Sequence, residues 1–470
     1  MKNGRRLQWS ALALVSVLGV LLAPSPSDGS ESFRIATFSA DVTPPLGHIL
    51  FTGRWKKAEG VTSRLEARGF VLLPPLATGE KPLVFCAVDW SEIRNDAYDR
   101  WRDVLAEAAG TERERVLVCA IHQHDTPLAD LEAQRILEKH GSSHQVIDRE
   151  FHEESVGRVA AALRASLGES RSVTHIGMGK GKVEQLASNR RYELPDGTVK
   201  YNRMSACRDL SARRAPEGDI DPYVRALSFW EEDEPIAVLS VYATHPMSFY
   251  GTGKVDADFP GLARAARRDA MPTTFQVYAS GCSGNVTAGK YNDGRPENRP
   301  VLASRLENGM ARAFANRTKV PLESLGFRVE KLRLEPRESA GFTVAELERQ
   351  IREKDDARSH GMAALGLSWH RRAEDPDHRI DVPAISFNEG GAHLVLLPGE
   401  IYVEYQLAAQ ELAPDSFVVT VGYGESAPGY LPIERAWEEG DSNLGGWCWV
   451  APGMEERVRE VLRSLLRKSP

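Results

Sequence analysis

Residues 116–122 read VLVCAIH, an apolar run that ends on a histidine. Three more apolar segments end in the same way, on a side chain that can bind a metal ion: 236–245 (IAVLSVYATH), 394–400 (LVLLPGE) and 417–430 (FVVTVGYGESAPGY). Each has the composition of a buried strand, and the carboxyl ends of strands in an open α/β sheet converge on one crevice. Two imidazoles and a carboxylate are a common zinc-binding set. The candidate zinc ligands are His122, His245, Glu400 and Tyr430.

The spacing of apolar residues elsewhere predicts helices that alternate with strands. A strand is expected at 82–90, a helix at 96–109 and a second helix at 146–167, whose apolar residues fall on one stripe. This alternation favours a mixed α/β and α+β fold in which central β-sheets are flanked by helices. The segment 338–385 is highly charged, contains a predicted amphipathic helix, and is interpreted as an insertion or a lid. Because no linker divides the chain, we expect one large domain over residues 31–470.

The N-terminus has the features of a secretory signal peptide. Lys2, Arg5 and Arg6 precede a mostly apolar stretch at 7–23, and a segment rich in Pro and Ser follows. We predict a signal peptide over residues 1–30 and a secreted or periplasmic protein. The alternative is a retained membrane anchor, although the apolar stretch is short for a membrane span.

Charge and cysteine content exclude several function classes. The 470 residues carry a net charge of −7 without a basic block, which argues against nucleic acid as a partner. Five cysteines are few for an exported chain of this size, so disulfides are not expected to hold the fold together. Cys86 and Cys119 lie in apolar runs and are expected to be packed thiols. One bridge among Cys207, Cys282 and Cys448 stays an open alternative.

His122 and His124 have the H-x-H spacing that places two side chains on the same side of a strand. Only one of them needs to bind metal, since the other could stabilise an oxyanion or transfer a proton. Each candidate ligand also has a simpler interpretation. The histidines could be hydrogen-bonded structural residues, and Glu400 could be a turn carboxylate that caps the next helix.

A glycine-rich loop at 281–290 (GCSGNVTAGK) lacks the residue order of a nucleotide-binding P-loop. The loop offers the hydroxyl groups of Ser283 and Thr287 together with several backbone N–H groups. A turn of this kind can present a nucleophile beside an oxyanion site, so these hydroxyls are candidate catalytic groups.

Nine short motifs, taken in order, resemble the catalytic domain of the neutral/alkaline (non-lysosomal) ceramidase family over residues 34–440. They are ADVTPP at 40–45, HQHDTP at 122–127 for the family's HTHSGP, Asn189-Arg190, Asp221-Pro222, ATHPMS at 243–248 for the ATHGTS-type segment, DADFPG at 256–261, GCSGNVT at 281–287 for the GDVSPN loop, LPGE at 397–400, and GYLP at 429–432 for GYVTT. The resemblance implies a ceramidase-like catalytic domain over residues 31–470.

The resemblance also implies a reaction and roles for individual residues. Members of the family are zinc-dependent amidases that cleave the N-acyl bond of ceramide into sphingosine and a fatty acid. The implied partner is a lipid or small-molecule N-acyl substrate, with peripheral membrane contact. The implied zinc ligands are the four residues named above. His124 and Arg190 would position or stabilise the amide, and Thr287 occupies the place of the serine in the family's GDVSPN loop.

Four departures from the family pattern bear on the substrate. Thr287 is a stiffer, more crowded hydroxyl than the family's serine, and Asp125 replaces the serine of HTHSGP, where it could support a ligand histidine. The second tyrosine after GYVTT has no match at 433–437, and the chain ends where the family's C-terminal immunoglobulin-like domain would begin. Two alternatives therefore stay open: a related hydrolase of another acyl substrate, and a non-catalytic binding protein on the same scaffold.

Overall fold

The computed structural model describes residue 1 and residues 32–53 and 56–467. The strands are β1 (Arg34–Asp41), β2 (Gly60–Val61), β3 (Glu66–Leu73), β4 (Leu83–Val88), β5 (Glu92–Ile93), β6 (Val116–Ala120), β7 (Leu128–Ala129), β8 (Arg171–Ser172), β9 (His175–Lys182), β10 (Ser188–Asn189), β11 (Tyr192–Glu193), β12 (Val199–Lys200), β13 (Tyr223–Glu231), β14 (Glu234–Tyr242), β15 (Lys254–Val255), β16 (Phe275–Ser280), β17 (Val286–Thr287), β18 (Thr318–Pro321), β19 (Leu325–Leu332), β20 (Ile380–Phe387), β21 (Ala392–Leu396), β22 (Glu400–Ile401), β23 (Phe417–Val421) and β24 (Tyr430–Leu431). The α-helices are α1 (Asn95–Ala109), α2 (Leu131–Lys139), α3 (Arg149–Leu167), α4 (Leu210–Arg214), α5 (Asp258–Ala270), α6 (Asn298–Ala315), α7 (Val344–Glu353), α8 (Ala357–Ala373), α9 (Val403–Leu412), α10 (Glu434–Glu438) and α11 (Glu455–Leu466).

Three larger sheets form the body of the fold. Their strand orders are β6-β4-β3-β1-β8, β16-β14-β13-β9-β18 and β19-β20-β21-β23. Each sheet is antiparallel except for one parallel pair at an edge: β4 with β6, β14 with β16, and β21 with β23. The fold is therefore a mixed α/β fold with central sheets and flanking helices, as predicted.

The three parallel edges meet where their strands end. The Ala120 N–H at the end of β6 donates to the Tyr423 carbonyl just after β23, at 2.9 Å. The Gly422 N–H donates to the Ser280 carbonyl at the end of β16, also at 2.9 Å. The Ser280 hydroxyl donates in turn to the Ile121 carbonyl at 2.8 Å. These bonds join the carboxyl ends of the three edge strands into one junction and satisfy edges that would otherwise be unpaired.

One apolar core is shared by all three sheets. Phe85 of the first sheet, Leu239 of the second and Leu394 of the third are fully buried in the same cluster. A second cluster fills the space between the first sheet and helices α1 and α3, where Trp90 and Trp101 pack edge to face with ring centroids 5.4 Å apart. Burial of this extent couples the sheets mechanically, so the junction between their edges is held rigidly.

Most predicted elements are present with small shifts at their ends. The helices expected at 96–109 and 146–167 correspond to α1 and α3, and the strand expected at 82–90 is β4. The second half of 338–385 is part of the body of the fold rather than a lid, and its interpretation as an insertion stays a prediction. Helix α8 carries the buried Leu365 and Trp369, and β20 is an inner strand of the third sheet.

All five cysteines are buried and free. Among the residues that the structure describes, no helix is long and apolar enough to cross a membrane. The predicted signal peptide lies, apart from residue 1, outside the described residues, and it stays a prediction.

Glu425, in the loop after β23, links the pH to the stability of the fold. Its carboxylate is buried and accepts the backbone N–H groups of Asn95 and Ala427 at 2.8 and 3.0 Å. Burial raises the pKa of Glu425 from its ordinary value of 4.5 to about 8, although Arg372 lowers it in part. The folded state therefore binds more protons than the unfolded state between these two pKa values, and Glu425 makes stability fall as pH rises through this window.

We expect Glu425→Gln to flatten the decline in stability between pH 5 and pH 8, because glutamine keeps the accepting oxygen and removes the charge. The measurement is the urea midpoint of unfolding at several pH values for the wild type, this variant and Glu411→Gln. Glu411 is an exposed residue of α9, so its variant should follow the wild type. An equal slope for Glu425→Gln and the wild type would contradict the assignment.

Candidate metal centre

Glu400 and Tyr430 are brought together by a short parallel ribbon. Strands β22 and β24 pair in a register that places Glu400 opposite Tyr430, and the Glu400 N–H donates to the Gly429 carbonyl at 2.8 Å. Two glycines permit the close approach. Gly399 has a φ of 62°, and a Cβ on Gly284 would lie 2.0 Å from the Glu400 carbonyl oxygen. Any side chain at position 284 would therefore push the loop away from Glu400.

His122 lies two residues beyond β6, in a strained backbone conformation. Its φ of 78° falls in the left-handed region, which residues other than glycine rarely adopt. Nδ1 of His122 donates to the Ser91 carbonyl at 2.8 Å, and the Tyr423 ring stacks on the imidazole with centroids 4.5 Å apart. The strain is maintained by these contacts and turns Nε2 towards Glu400.

His245 follows β14 and is held by the glycine-rich loop. Its N–H donates to the Val286 carbonyl at 2.8 Å, and its Nδ1 donates to the Ser283 carbonyl at 2.6 Å. A carbonyl beside Nδ1 requires the proton on that nitrogen, so a neutral imidazole presents the lone pair of Nε2. Metal-binding histidines are commonly oriented by a backbone carbonyl in this way.

Two imidazole nitrogens and one carboxylate oxygen converge in this site. Nε2 of His122 and Nε2 of His245 lie 3.2 and 3.0 Å from the same Oε2 atom of Glu400. All three side chains are buried, and their ligand atoms lie within 4.8 Å of one another. Lone pairs at such distances repel unless a cation or an added proton lies between them. The donor set therefore fits a divalent metal ion.

The pKa values of the three groups indicate the same need for positive charge. Burial would raise the pKa of the Glu400 carboxyl, yet His122 and His245 hold it well below its ordinary value. Burial would lower the pKa of His122, but the Glu400 carboxylate raises it. Burial and the Arg190 guanidinium lower the pKa of His245 to about 4. An ionised Glu400 beside a neutral His245 leaves a negative charge to be balanced inside the protein.

Arg190 and Tyr430 lie beside the three converging ligands, and Tyr430 as a fourth ligand stays a prediction. Arg190 follows β10, and its N–H donates to the Asn285 carbonyl at 2.7 Å. Nη1 of Arg190 donates to the Tyr430 hydroxyl at 2.8 Å, and Nη2 donates to Nε2 of His245 at 2.9 Å, a hydrogen bond that a metal ion bound to Nε2 would displace. Nε of Arg190 is buried and has no hydrogen-bond partner among the described residues. One donor of the guanidinium thus stays available to a ligand.

His124 and Thr287, the other two predicted catalytic residues, lie in different surroundings. The His124 ring lies 5.1 Å from the His122 ring and is stacked against Phe51, with centroids 4.4 Å apart. By contrast, the Thr287 hydroxyl donates to the Arg203 carbonyl at 2.8 Å and accepts the Gly289 N–H at 3.2 Å. The Thr287 hydroxyl is therefore engaged in loop structure, and its catalytic role stays a prediction.

A cavity of about 380 Å³ opens over the centre. Its polar lining is formed by His124, Ser205, Arg190, Arg358, Glu400, Tyr430, Ser442 and Asn443. Methionines and aromatic rings form the rest of the wall: Phe51, Met204, Met247, Tyr250, Met362 and Trp447. Flexible methionines and aromatic rings of this kind adapt to apolar ligands. We call this cavity the inner chamber.

Sequence reasoning missed the residues that join the chamber wall to the ligands. Glu92 accepts the Trp447 indole N–H at 2.7 Å, forms a buried ion pair with Arg94, and has its Oε1 atom 4.0 Å from Nδ1 of His122. Phe51 stacks on Trp447 with centroids 5.1 Å apart. These residues come from distant parts of the chain and carry no recognisable spacing, so only the folded structure brings them together.

Asp125 does not support a ligand histidine, contrary to the sequence-based expectation. Its buried carboxylate accepts the Gly251 N–H at 2.8 Å and the Thr252 hydroxyl at 2.8 Å. It therefore fastens the loop at 246–253 to the segment that carries His124. Met247 and Tyr250 of this loop line the inner chamber, and the Tyr250 ring packs on His124 with centroids 4.7 Å apart.

The fold is similar to that of two solved ceramidase structures. Neutral ceramidase from Pseudomonas aeruginosa matches with a TM-score of 0.65 and 17% sequence identity, over 93% of this chain and 74% of that chain. A ceramidase complexed with C2 matches with the same TM-score and 16% identity, over 93% of this chain and 75% of that chain. The fold is ceramidase-like. No protein-family model and no curated protein matches the sequence.

We expect Asp125→Ala to make the 246–253 loop of this ceramidase-like fold open more often, while zinc binding at His122, His245 and Glu400 is unchanged. Unpaired N–H groups and a lost charged acceptor should destabilise the loop by about 2 kcal/mol. Hydrogen exchange measured by mass spectrometry should be faster in peptides that cover Gly251 and Thr252, with a smaller effect for Asp125→Asn. Asp415→Ala, at an exposed position, serves as the control. Unchanged exchange in Asp125→Ala would show that the carboxylate does not hold the loop.

Proposed function

We propose that the chain is a zinc-dependent hydrolase that cleaves the N-acyl bond of a ceramide-type lipid into a fatty acid and a sphingoid base. One observation carries this proposal: the His122, His245 and Glu400 ligand atoms converge at a chamber that methionines and aromatic rings help to line, beside a buried arginine with a free donor. The ceramidase-like fold supports it. The apolar wall of the chamber suits an acyl chain.

Zinc held by His122, His245, Glu400 and Tyr430 would polarise the amide carbonyl and lower the pKa of a bound water. In the reaction, the water oxygen adds to the carbonyl carbon, the C–N bond breaks, and the amine nitrogen takes up a proton. Arg190 is proposed to donate from Nε to the carbonyl oxygen as it gains negative charge. His124, on the chamber wall, is proposed to take the proton of the water and deliver it to the amine nitrogen.

Thr287 can take part only if its hydroxyl leaves the Arg203 carbonyl. We keep it as a secondary proposal, in which Thr287 hydrogen-bonds the tetrahedral intermediate or accepts the acyl group. Export through the N-terminal signal peptide, and peripheral contact with a membrane that holds the lipid, complete the proposal. N-terminal sequencing of the mature protein from the native host would test the cleavage near residue 30.

The central test is metal content paired with hydrolysis of N-dodecanoyl sphingosine. We expect about one zinc per chain, cleavage that stops on chelation and returns with zinc, and loss of both metal and activity in His245→Ala. Zinc without cleavage of this or any other N-acyl amide would reject the amidase assignment. A chain that binds no metal would reject the metal centre as well.

Two further variants separate binding of the metal from chemistry. His124→Ala should retain zinc and lower kcat about 100-fold or more, because a proton-transfer group is lost. Arg190→Lys should also retain zinc and lower kcat about 100-fold, because a lysine cannot reproduce the guanidinium donors. His140→Ala, at an exposed position after α2, is the matched control. Wild-type rates in His124→Ala would remove His124 from the mechanism.

A further inference from the structure

A second cavity of about 480 Å³ adjoins the inner chamber. Arg358, Met362, Gly445 and Gly446 line both cavities, so the two are neighbours, and we call them together the groove. We call the second cavity the outer chamber. It lies between the N-terminal part of α8, helix α7 and the loop at 445–449.

The outer chamber is lined by basic and neutral residues. Its charged side chains are Lys354 and Arg358, and no Asp or Glu lines it. Gln350 and Ser359 add polar groups that can bind a ligand. The inner chamber adds Arg190, and its one carboxylate, Glu400, is committed to the metal centre. Basic side chains therefore line the groove from the metal centre to the outer chamber.

Nearby carboxylates do not neutralise Arg358. Asp356 caps α8 by accepting the Ser359 N–H at 2.9 Å, and Asp355 lies 3.4 Å from His144. Glu346 accepts the Thr343 hydroxyl at 2.8 Å in the first turn of α7. Among the described residues, Arg358 has neither an ion pair nor a hydrogen bond from its side chain, and it is exposed to solvent.

We propose that the groove selects N-acyl amides whose amine portion carries an anionic group, a carboxylate or a phosphate, and that Arg358 binds this group. The acyl chain lies in the inner chamber, the amide reaches the metal centre, and the amine portion extends into the outer chamber. A guanidinium fork binds carboxylate and phosphate oxygens in pairs, which makes arginine suited to this role. This assignment rests on the proposed hydrolysis of N-acyl amides and predicts that uncharged ceramide is cleaved less well than an amide whose amine portion is anionic.

The test compares substrates that differ in one charge. N-dodecanoyl-glycine is paired with N-dodecanoyl-glycinamide, and N-dodecanoyl-phosphoethanolamine with N-dodecanoyl-ethanolamine. For the zinc-loaded wild type we expect kcat/KM to be about 10-fold higher for the anionic member of one pair or both. The difference should come from a lower KM rather than from a higher kcat. This factor corresponds to one charge-assisted hydrogen bond. The pair with the larger ratio identifies carboxylate or phosphate as the preferred anion.

Three variants at the boundary of the chambers make the test specific. Arg358→Ala should reduce the ratio of the two kcat/KM values, anionic over neutral substrate, to about one. Arg358→Glu should bring this ratio below one, and Arg358→Lys should keep part of the wild-type ratio. Arg352→Ala is the matched control, since Arg352 is an exposed arginine of α7 that pairs with Glu348 and does not line the groove. A ratio near one in the wild type, or an equal ratio in Arg358→Ala, would overturn the proposal.

Calorimetry keeps this test independent of catalysis. If no amide is cleaved, the proposed function fails, but the dissociation constants of the same pairs still report on the groove. Tighter binding of the anionic member, lost in Arg358→Ala, would support the anion site alone. Equal binding of both members would overturn it.

Discussion

Nε2 of His245 and Nε2 of His122 lie 3.0 and 3.2 Å from one buried carboxylate oxygen of Glu400. Much of the surrounding structure holds these three side chains in place. Both imidazoles use Nδ1 to donate to a backbone carbonyl, so neither neutral ring can offer Glu400 a proton from Nε2. A carboxylate buried without positive charge is costly. The centre must therefore hold a cation, or His122 must take a second proton and pair with Glu400. Arg190 adds positive charge beside His245, but its guanidinium is directed at His245 and Tyr430 rather than at Glu400.

The fold explains how chain segments so far apart reach one point. Each of the three sheets has a single parallel pair at one edge, and the ends of these edges are hydrogen-bonded to one another at Ala120, Ser280 and Gly422. The ligands themselves lie beyond the strand ends, in turns that need unusual backbone: His122 at a φ of 78°, and Gly284 packed against the Glu400 carbonyl. Rigid sheets thus fix short, strained segments, which is an arrangement suited to holding a metal ion in one geometry.

The sequence predicted the mixed α/β class and the convergence of strand ends, because buried strands and their terminal polar residues leave a local signal. It could not predict which hydroxyl or carboxylate faces the site. Thr287 occupies the position expected of a catalytic hydroxyl, yet this hydroxyl donates its hydrogen bond to the Arg203 carbonyl. Asp125 adjoins His124 in sequence but binds a loop more than a hundred residues away. The charged segment 338–385 is interpreted from the sequence as an insertion or a lid, yet its helix α8 is largely buried and contributes Arg358 and Met362 to the chamber lining. Each of these outcomes depends on contacts between distant segments.

Zinc-edge anomalous scattering from crystals of the zinc-loaded protein would locate the metal ion. We expect one strong peak between Nε2 of His122, Nε2 of His245 and the Glu400 carboxylate, at about 2.0–2.2 Å from each ligand atom. The peak should disappear after chelation while the fold is retained. An empty centre under saturating zinc, with His122 paired directly to Glu400, would reject the metal centre and leave the charge of Glu400 balanced by a proton alone.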